Sequence, residues 1–332
     1  SPPTLVLGAV PSLPSAESKA RLRVAVRSLR LAGFDGAIVL GLHDGDVDGA
    51  LARFLQRNGV DVLPTRFAAH DVDARYAWLV AVLGRAPREL ARILVAGDLL
   101  DTLFQSDPFR SRGGAAAGER RVGRRGRGDA GGNAGGDAAA CAAWNSGAKS
   151  NATTTNTVAR VTVFGTARTF GEPAALATSL AALQKLLPHP DSCREGSYAI
   201  IDEAAWEGRS VVAPLLLGAR APVLSLLKAL SRSVAEHRCG ASAALAPALM
   251  EEAYLNLLVY KHAAHRASRI AAAPVIVVPH GGGCVVHAAY MRGSGAAPML
   301  RDSEGFVLRP ASLARAAVVT GVKPWAPVLD DW

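Results

Sequence analysis

The stretch ARILVAGDLLDTLFQSDPF, from Ala91 to Phe109, decides how the rest of the chain is interpreted. It begins with an apolar run of the kind that forms a buried strand, and that run ends abruptly at Asp98 and Asp101. In an open α/β sheet, ligands bind beyond the carboxyl ends of the strands, so two carboxylates there predict a site for a hard cation such as Mg²⁺ or Mn²⁺. The alternative is a strand that ends in a polar turn, with Asp98 as a cap.

The sequence before this stretch alternates between strand-like and helix-like patterns. TLVLGAV, GAIVLGL and VDVLPT are short apolar runs, and the segments between them have helical spacing. Ser15 is suited to cap the first helix and Gly33 to end it. Near-continuous apolar strands that alternate with helices predict an α/β fold with a mostly parallel mixed sheet, covered by helices on both faces.

Between Arg110 and Thr157 this alternation is replaced by Gly, Ala, Arg, Asn and Thr. We predict a disordered, low-complexity insertion at 110–157, because such a segment buries too little apolar surface to offset its ordering entropy. Strand and helix patterns then resume and continue to ARAAVVTG near the end. Since neither half has a linker of its own, residues 1–332 are predicted to form a single domain.

Composition restricts the class of protein. Half of the 332 residues are hydrophobic, but no apolar run reaches the roughly 18–20 residues that a membrane span needs. The net charge is +9, and residues 110–136 contribute +5 of it, with seven arginines against Glu119 and Asp129. The remainder is only mildly basic, so nucleic acid is not expected as a partner. An arginine-rich arm that binds a polyanion is kept as a weaker hypothesis.

Several motifs with known chemistry do not occur in the chain. The four cysteines form no CxxC pair, which argues against a zinc ribbon or a thioredoxin-type site. No GxGxxG turn follows the first strand, where Gly8 leads into AVPSLPS, and the chain contains no P-loop and no GxSxG nucleophile elbow. Cys284 and His287 lie three residues apart in an apparent strand, so they are expected on opposite faces. A diphosphate held by a cation stays open, since it needs no glycine cradle.

Three segments, SLRLAGFDGAIVLGL, ARYAWLVAVL and RILVAGDLLDTLFQSDPF, together resemble the nucleotide-diphospho-sugar transferase type of glycosyltransferase of plants and green algae, which has a GT-A fold. In that family the strand leads into an Asp-x-x-Asp or Asp-x-Asp element followed by Phe-Gln-x-Asp-Pro-Phe. The matching positions are Asp98, Asp101, Phe104, Gln105, Asp107, Pro108 and Phe109.

The resemblance implies roles for individual residues. Asp98 and Asp101 would be metal ligands, and Glu251 would face the sugar or acceptor as a base or a hydrogen-bond acceptor. The expected donor-binding residues are Arg75, Tyr76, Gly97, Asp98 and Lys323. The expected acceptor-side residues are Gly218, Glu252 and Asn256.

The resemblance also implies an activity and a location. The expected reaction is glycosylation: transfer of a sugar from a nucleotide-diphosphate donor, a UDP-sugar above all, to a hydroxyl of a protein or glycan, with Mn²⁺ or Mg²⁺ as cofactor. The expected location is the Golgi lumen, with an anchor preceding Ser1, and the alternative is the cytoplasm.

Relatives often carry a further metal-binding histidine before Lys-Pro-Trp, whereas AAVVTGVKPW keeps Lys323 without it. This departure motivates a second hypothesis, a catalytically degenerate GT-A domain that binds a glycan or a partner.

Overall fold

The structure is a computed structural model, and it describes most of the first third of the chain and several later segments. The described residues are 3–10, 12–67, 71–97, 99–109, 161–169, 209–236, 255, 258–259, 275–278, 285–287, 300–309 and 315–321. The predicted insertion at 110–157 lies outside them, and so do the four cysteines.

Strands and helices alternate in the first part of the chain, as predicted. The elements are β1 (Thr4–Ala9), α1 (Ala16–Leu31), β2 (Ala37–His43), α2 (Gly49–Arg57), β3 (Val60–Thr65), α3 (Val72–Arg85), β4 (Arg92–Ala96) and, after a 3₁₀ turn at Leu99–Asp101, β5 (Thr102–Phe104). The later elements are β6 (Val161–Thr169), β7 (Arg209–Gly218), α4 (Arg220–Glu236), β8 (Val275–Val278), β9 (Val285–His287) and β10 (Val318–Thr320).

Local signals explain the bounds of α1. Ser15 caps the helix with a reciprocal pair of hydrogen bonds, because its hydroxyl accepts from the Ser18 backbone and Ser18 bonds back to the Ser15 backbone. Gly33 follows the last turn with φ of +88°, a conformation that glycine adopts at little cost. Both positions were predicted from the sequence, and both predictions are confirmed.

The described strands form a seven-stranded sheet in the order β3-β2-β1-β4-β7-β6-β8. The strands from β3 to β4 are parallel, β7 runs antiparallel to both of its neighbours, and β6 pairs with β8 in parallel. The prediction of an α/β fold with a mostly parallel mixed sheet is therefore confirmed.

Helices cover both faces of this sheet. On one face, α1 and α2 pack against Val6, Ile38 and Leu40, while on the other face α3 and α4 pack against Leu5 and Leu7. Val6 and Leu7 are each 0% exposed, because strands covered on both sides bury every side chain. No helix among the described residues is long and apolar enough to cross a membrane.

One arginine fastens the loops at the amino edge of the sheet. The Arg30 guanidinium, in the last turn of α1, donates to the Phe34 and Gly36 carbonyls at 3.0 and 2.8 Å. It also donates to the carbonyls of Asn58 and Gly59 at 2.8 and 2.9 Å. The segments that lead into β2 and β3 are thus held by a single side chain.

A second, smaller sheet lies beside the first, in the order β5-β10-β9. β10 is antiparallel to β5 and parallel to β9. Leu103, Val286 and Val319, one from each strand, are buried in a cluster of their own that α1 borders through Val24. This sheet joins segments that are far apart in the sequence.

Candidate functional site

Asp101 lies where the sequence analysis expected it, just beyond the carboxyl end of β4. β4 ends at Ala96, a half-buried Gly97 follows, and the 3₁₀ turn brings the half-buried Asp101 directly before β5. In the sheet order, β2 and β3 continue on one side of β1 and β4 lies on the other. The topological switch point is therefore between β1 and β4, where open α/β sheets bind ligands. Asp98 lies outside the described residues.

Other carboxylates at this edge tie the loops together. The Asp46 carboxylate, after β2, accepts a hydrogen bond of 2.6 Å from the backbone N–H of Leu13, after β1. Asp48 accepts from Lys19 at 2.9 Å and from the backbone of Leu51 at 2.8 Å, so it caps α2. The hydrogen bond from Lys19, with that from Leu51, lowers the pKa of Asp48 to about 2. These two acids have structural partners.

Arg75 and Tyr76 lie in the first turns of α3, which begins at the carboxyl edge because it follows β3. Both side chains are buried, and the Arg75 guanidinium lies 5.9 Å from the centre of the Tyr76 ring. Burial raises the pKa of Tyr76 to about 12, against the opposing charge of Arg75. The phenol is therefore neutral at physiological pH. Tyr76 belongs to the core cluster of this face, and its contact with a donor stays a prediction.

The residues after Asp101 are buried and bonded to the rest of the fold, so they hold the turn in place. The Phe104 ring is 2% exposed, and its backbone N–H donates to the buried Ser28 hydroxyl of α1 at 3.1 Å. Ser28 in turn donates to the Ala25 carbonyl at 2.9 Å. The strand that starts after Asp101 is thus bonded to α1.

The Asp-Pro-Phe part of the motif forms hydrogen bonds within its own segment and with β4. The buried Asp107 carboxylate accepts from the backbone N–H of Phe109 at 2.8 Å, a short local turn. The Phe109 carbonyl accepts from Arg92 at 2.6 Å, and the Phe109 ring lies 5.4 Å from that of Phe34. Asp107 therefore serves the backbone of its own segment.

Gln105 bonds to the C-terminal part of the chain. Its carboxamide oxygen accepts from the Val307 N–H at 2.7 Å, and its nitrogen donates to the carbonyls of Val307 and Ala316 at 3.0 and 2.8 Å. Its backbone N–H also donates to the Ala317 carbonyl at 2.8 Å. The sequence analysis identified Gln105 only as part of a motif and did not find its partners or Ser28. Nothing local signals these contacts, since the partners lie 76 to 212 residues apart.

Gly218 is not brought together with Asp101. It is in register with Ile93, near the amino end of β4, whereas Asp101 follows the carboxyl end. The two edges are separated by about 13 Å of strand between Ile93 and Gly97. The other acceptor-side residues, together with the expected catalytic and lysine positions, lie outside the described residues; they are Glu251, Glu252, Asn256 and Lys323.

One of the two expected metal ligands, Asp101, lies among the described residues. Asp101 offers carboxylate oxygens, the ligands that Mg²⁺ and Mn²⁺ prefer. Within the described ranges, no three His, Cys, Asp or Glu side chains are grouped closely enough to hold a metal ion. A site here would combine Asp101 with Asp98, three residues before it. No family model and no curated protein matches this chain.

Proposed function

We propose that the chain is a metal-dependent glycosyltransferase of the GT-A type, which transfers a sugar from a nucleotide-diphosphate donor to a hydroxyl of a protein or glycan. The observation that carries this proposal is the position of Asp101 at the switch point of a mostly parallel α/β sheet. The resemblance of the segment from Arg92 to Phe109 supplies the reaction class. A mostly parallel mixed sheet is the architecture that this resemblance implies.

Each of these residues would have a separate role in the transfer of the sugar. Asp101 and Asp98 would hold Mn²⁺ or Mg²⁺ against the donor diphosphate. When bound, the cation neutralises the charge that develops on the departing nucleoside diphosphate. Glu251 would hold or accept the proton of the acceptor hydroxyl, and Lys323 would contribute positive charge near the phosphates.

The proposal is supported by the way in which the backbone on both sides of Asp101 is held in place. It lies half-buried in a 3₁₀ turn, between β4 and a strand that is bonded to α1 and to the C-terminal part of the chain. A carboxylate on a fixed turn binds a cation without first being ordered, which is the preorganisation that metal sites and charge-stabilising sites require.

The test is a panel of nucleotide sugars with purified protein, with and without Mn²⁺, read as released nucleoside diphosphate. Asp101→Asn keeps the size of the side chain and removes one charge, and we expect it to lower Mn²⁺-dependent turnover by about 100-fold or more. Asp98→Asn is expected to behave in the same way.

Asp61→Asn is the matched control, since Asp61 is an exposed carboxylate on the edge strand β3. It should turn over like the wild type. Turnover of Asp101→Asn at the wild-type rate would overturn the metal role. A wild type that binds UDP equally well without metal, and releases none from any donor, would instead support the binding-module hypothesis.

A further inference from the structure

Gln105 makes an unusual set of contacts for one half-buried side chain. Three of the four hydrogen bonds that a carboxamide can make go to the backbone of Val307 and Ala316. Val307 and Ala316 are also bonded to each other, because the Ala316 N–H donates to the Val307 carbonyl at 2.9 Å. One side chain therefore joins two stretches of backbone that precede β10 in the chain.

The partners define the chemistry that position 105 needs. One partner, the Val307 N–H, is a donor, and the other two are carbonyls, so the side chain must both accept and donate. A carboxylate of the same shape accepts the first bond and repels both carbonyls. Asparagine has the right groups on a side chain one methylene shorter. Among side chains of this length, only the carboxamide satisfies all three partners.

Gln105 and Asp101 are connected through β5, because Asp101 directly precedes this strand and Gln105 directly follows it. In the antiparallel pairing of β5 with β10, Thr102 lies opposite Thr320. The ladder ends at this pair, since Asp101 belongs to the 3₁₀ turn before β5 and Gly321 follows β10. Gly321 is buried and has φ of +69°, so the chain turns there. In the described small sheet β5 is an edge strand whose neighbour is β10, and Gln105 fastens that pair at the other end.

We infer that Gln105 is a positioning residue of the metal site: by fastening β10 and the described residues 300–309 and 315–316 to β5, it sets the orientation of Asp101 at the other end of that strand. This inference rests on the proposed function. It extends that function by making the C-terminal segment part of the donor site. Side chains that orient metal ligands from the outside typically change metal affinity 10- to 100-fold when altered.

The experiment compares the wild type, Gln105→Glu and Gln56→Glu, each as the full chain, by calorimetry with UDP in the presence and absence of Mn²⁺. Gln56 is an exposed position of α2, so it receives the same chemical change away from the contacts of Gln105 with Val307 and Ala316. We expect Gln105→Glu to weaken Mn²⁺-dependent UDP binding by about 10-fold or more and to leave metal-free UDP binding unchanged. Gln56→Glu should match the wild type in both.

The outcomes separate the two proposals. A wild type whose UDP affinity is the same with and without Mn²⁺ overturns the metal-dependent function, and the role of Gln105 with it. A wild type that needs Mn²⁺, beside a Gln105→Glu protein of equal affinity, overturns the positioning role alone. Equal losses with and without Mn²⁺ in Gln105→Glu also overturn it, because general damage to the fold lowers both affinities.

A measurement on the wild type covers the case in which Gln105→Glu does not fold. Coupling between two sites is reciprocal, so if the Gln105 hydrogen bonds strengthen metal-dependent binding, the bound ligand must also stabilise those hydrogen bonds. Adding Mn²⁺ and UDP should therefore slow hydrogen exchange at the Val307 and Ala316 amides, while UDP alone should not. Exchange rates that do not respond to Mn²⁺ and UDP in a wild type that binds them overturn the inference.

Discussion

The parallel half of the large sheet and the small sheet are held together in different ways. From β1 to β4, strands of five to seven residues are buried between helices, and consecutive strands are neighbours or nearly so. The small sheet has strands of three residues, and its pairing spans up to 218 residues of sequence, between Thr102 and Thr320. It depends on Ser28 and Gln105 as well as on apolar packing.

The difference shows what each kind of interaction specifies. Apolar packing is strong but tolerant of small displacements, whereas a one-residue slip in a strand moves every side chain to the other face. A three-residue strand has few side chains with which to resist such a slip. Directional bonds from Ser28 and Gln105 fix the register of β5 that packing alone leaves weakly specified.

The largest effect is expected from Leu40→Ala, a test of the parallel half. Leu40, in β2, is 0% exposed and packs with apolar residues of α1 and α2. Its truncation should lower the free energy of unfolding by about 2–5 kcal/mol, because a cavity remains in a packed core. Urea unfolding measures this, with Leu31→Ala as control, since Leu31 is 74% exposed. A loss no larger than that of the control would mean that packing does not hold this half.

Ser28→Ala tests the small sheet and should have an intermediate effect. It leaves the buried Phe104 N–H without its acceptor, which costs about 1–3 kcal/mol. Hydrogen exchange should quicken at Phe104 and its neighbours in β5 and stay unchanged in β1 and β2. Ser303→Ala, at an exposed position, is the control. Equal acceleration across both sheets would erase the distinction between the two regions.

Asp48→Asn should have the smallest effect, and one that depends on pH. The pKa of Asp48 is lowered from 3.8 to about 2, so its charge stabilises the fold fully above about pH 4 and progressively less as the pH falls towards 2. Asparagine also caps helices, so the substitution removes mainly the charge-dependent part. The melting temperatures of the two proteins should differ at pH 6, and the difference should shrink as the pH falls from about 4 towards 2. A constant difference would contradict the assignment, and Asp61→Asn provides the control.

The parallel half could be predicted from the sequence because its signals are local. Apolar runs of strand length, the Ser15 cap and the Gly33 stop each depend on residues within one element. The position of Asp101 at the end of β4 follows from the same pattern. The small sheet could not be predicted in this way, since three residues carry almost no periodicity and the partners of Gln105 lie more than 200 residues away.

The position of Gly218 in the sheet could not be predicted from the sequence for a different reason. An apolar run followed by small residues predicts a strand and a turn, and β7 followed by α4 has that form. The pattern does not contain the direction of the strand in the sheet. Because β7 runs antiparallel to β4, its last residue lies at the edge opposite to Asp101. An acceptor role for Gly218 would therefore require a site away from Asp101.

The four hydrogen bonds from Arg30 to backbone carbonyls restrict movement at the amino edge of the sheet. A lysine in its place has three donors and no planar fork, so it cannot hold all four acceptors at once. The guanidinium of Arg30 therefore holds the segments that lead into β2 and β3 against the last turn of α1. Any movement of the segments before β2 and β3 relative to α1 would have to break hydrogen bonds to this one side chain.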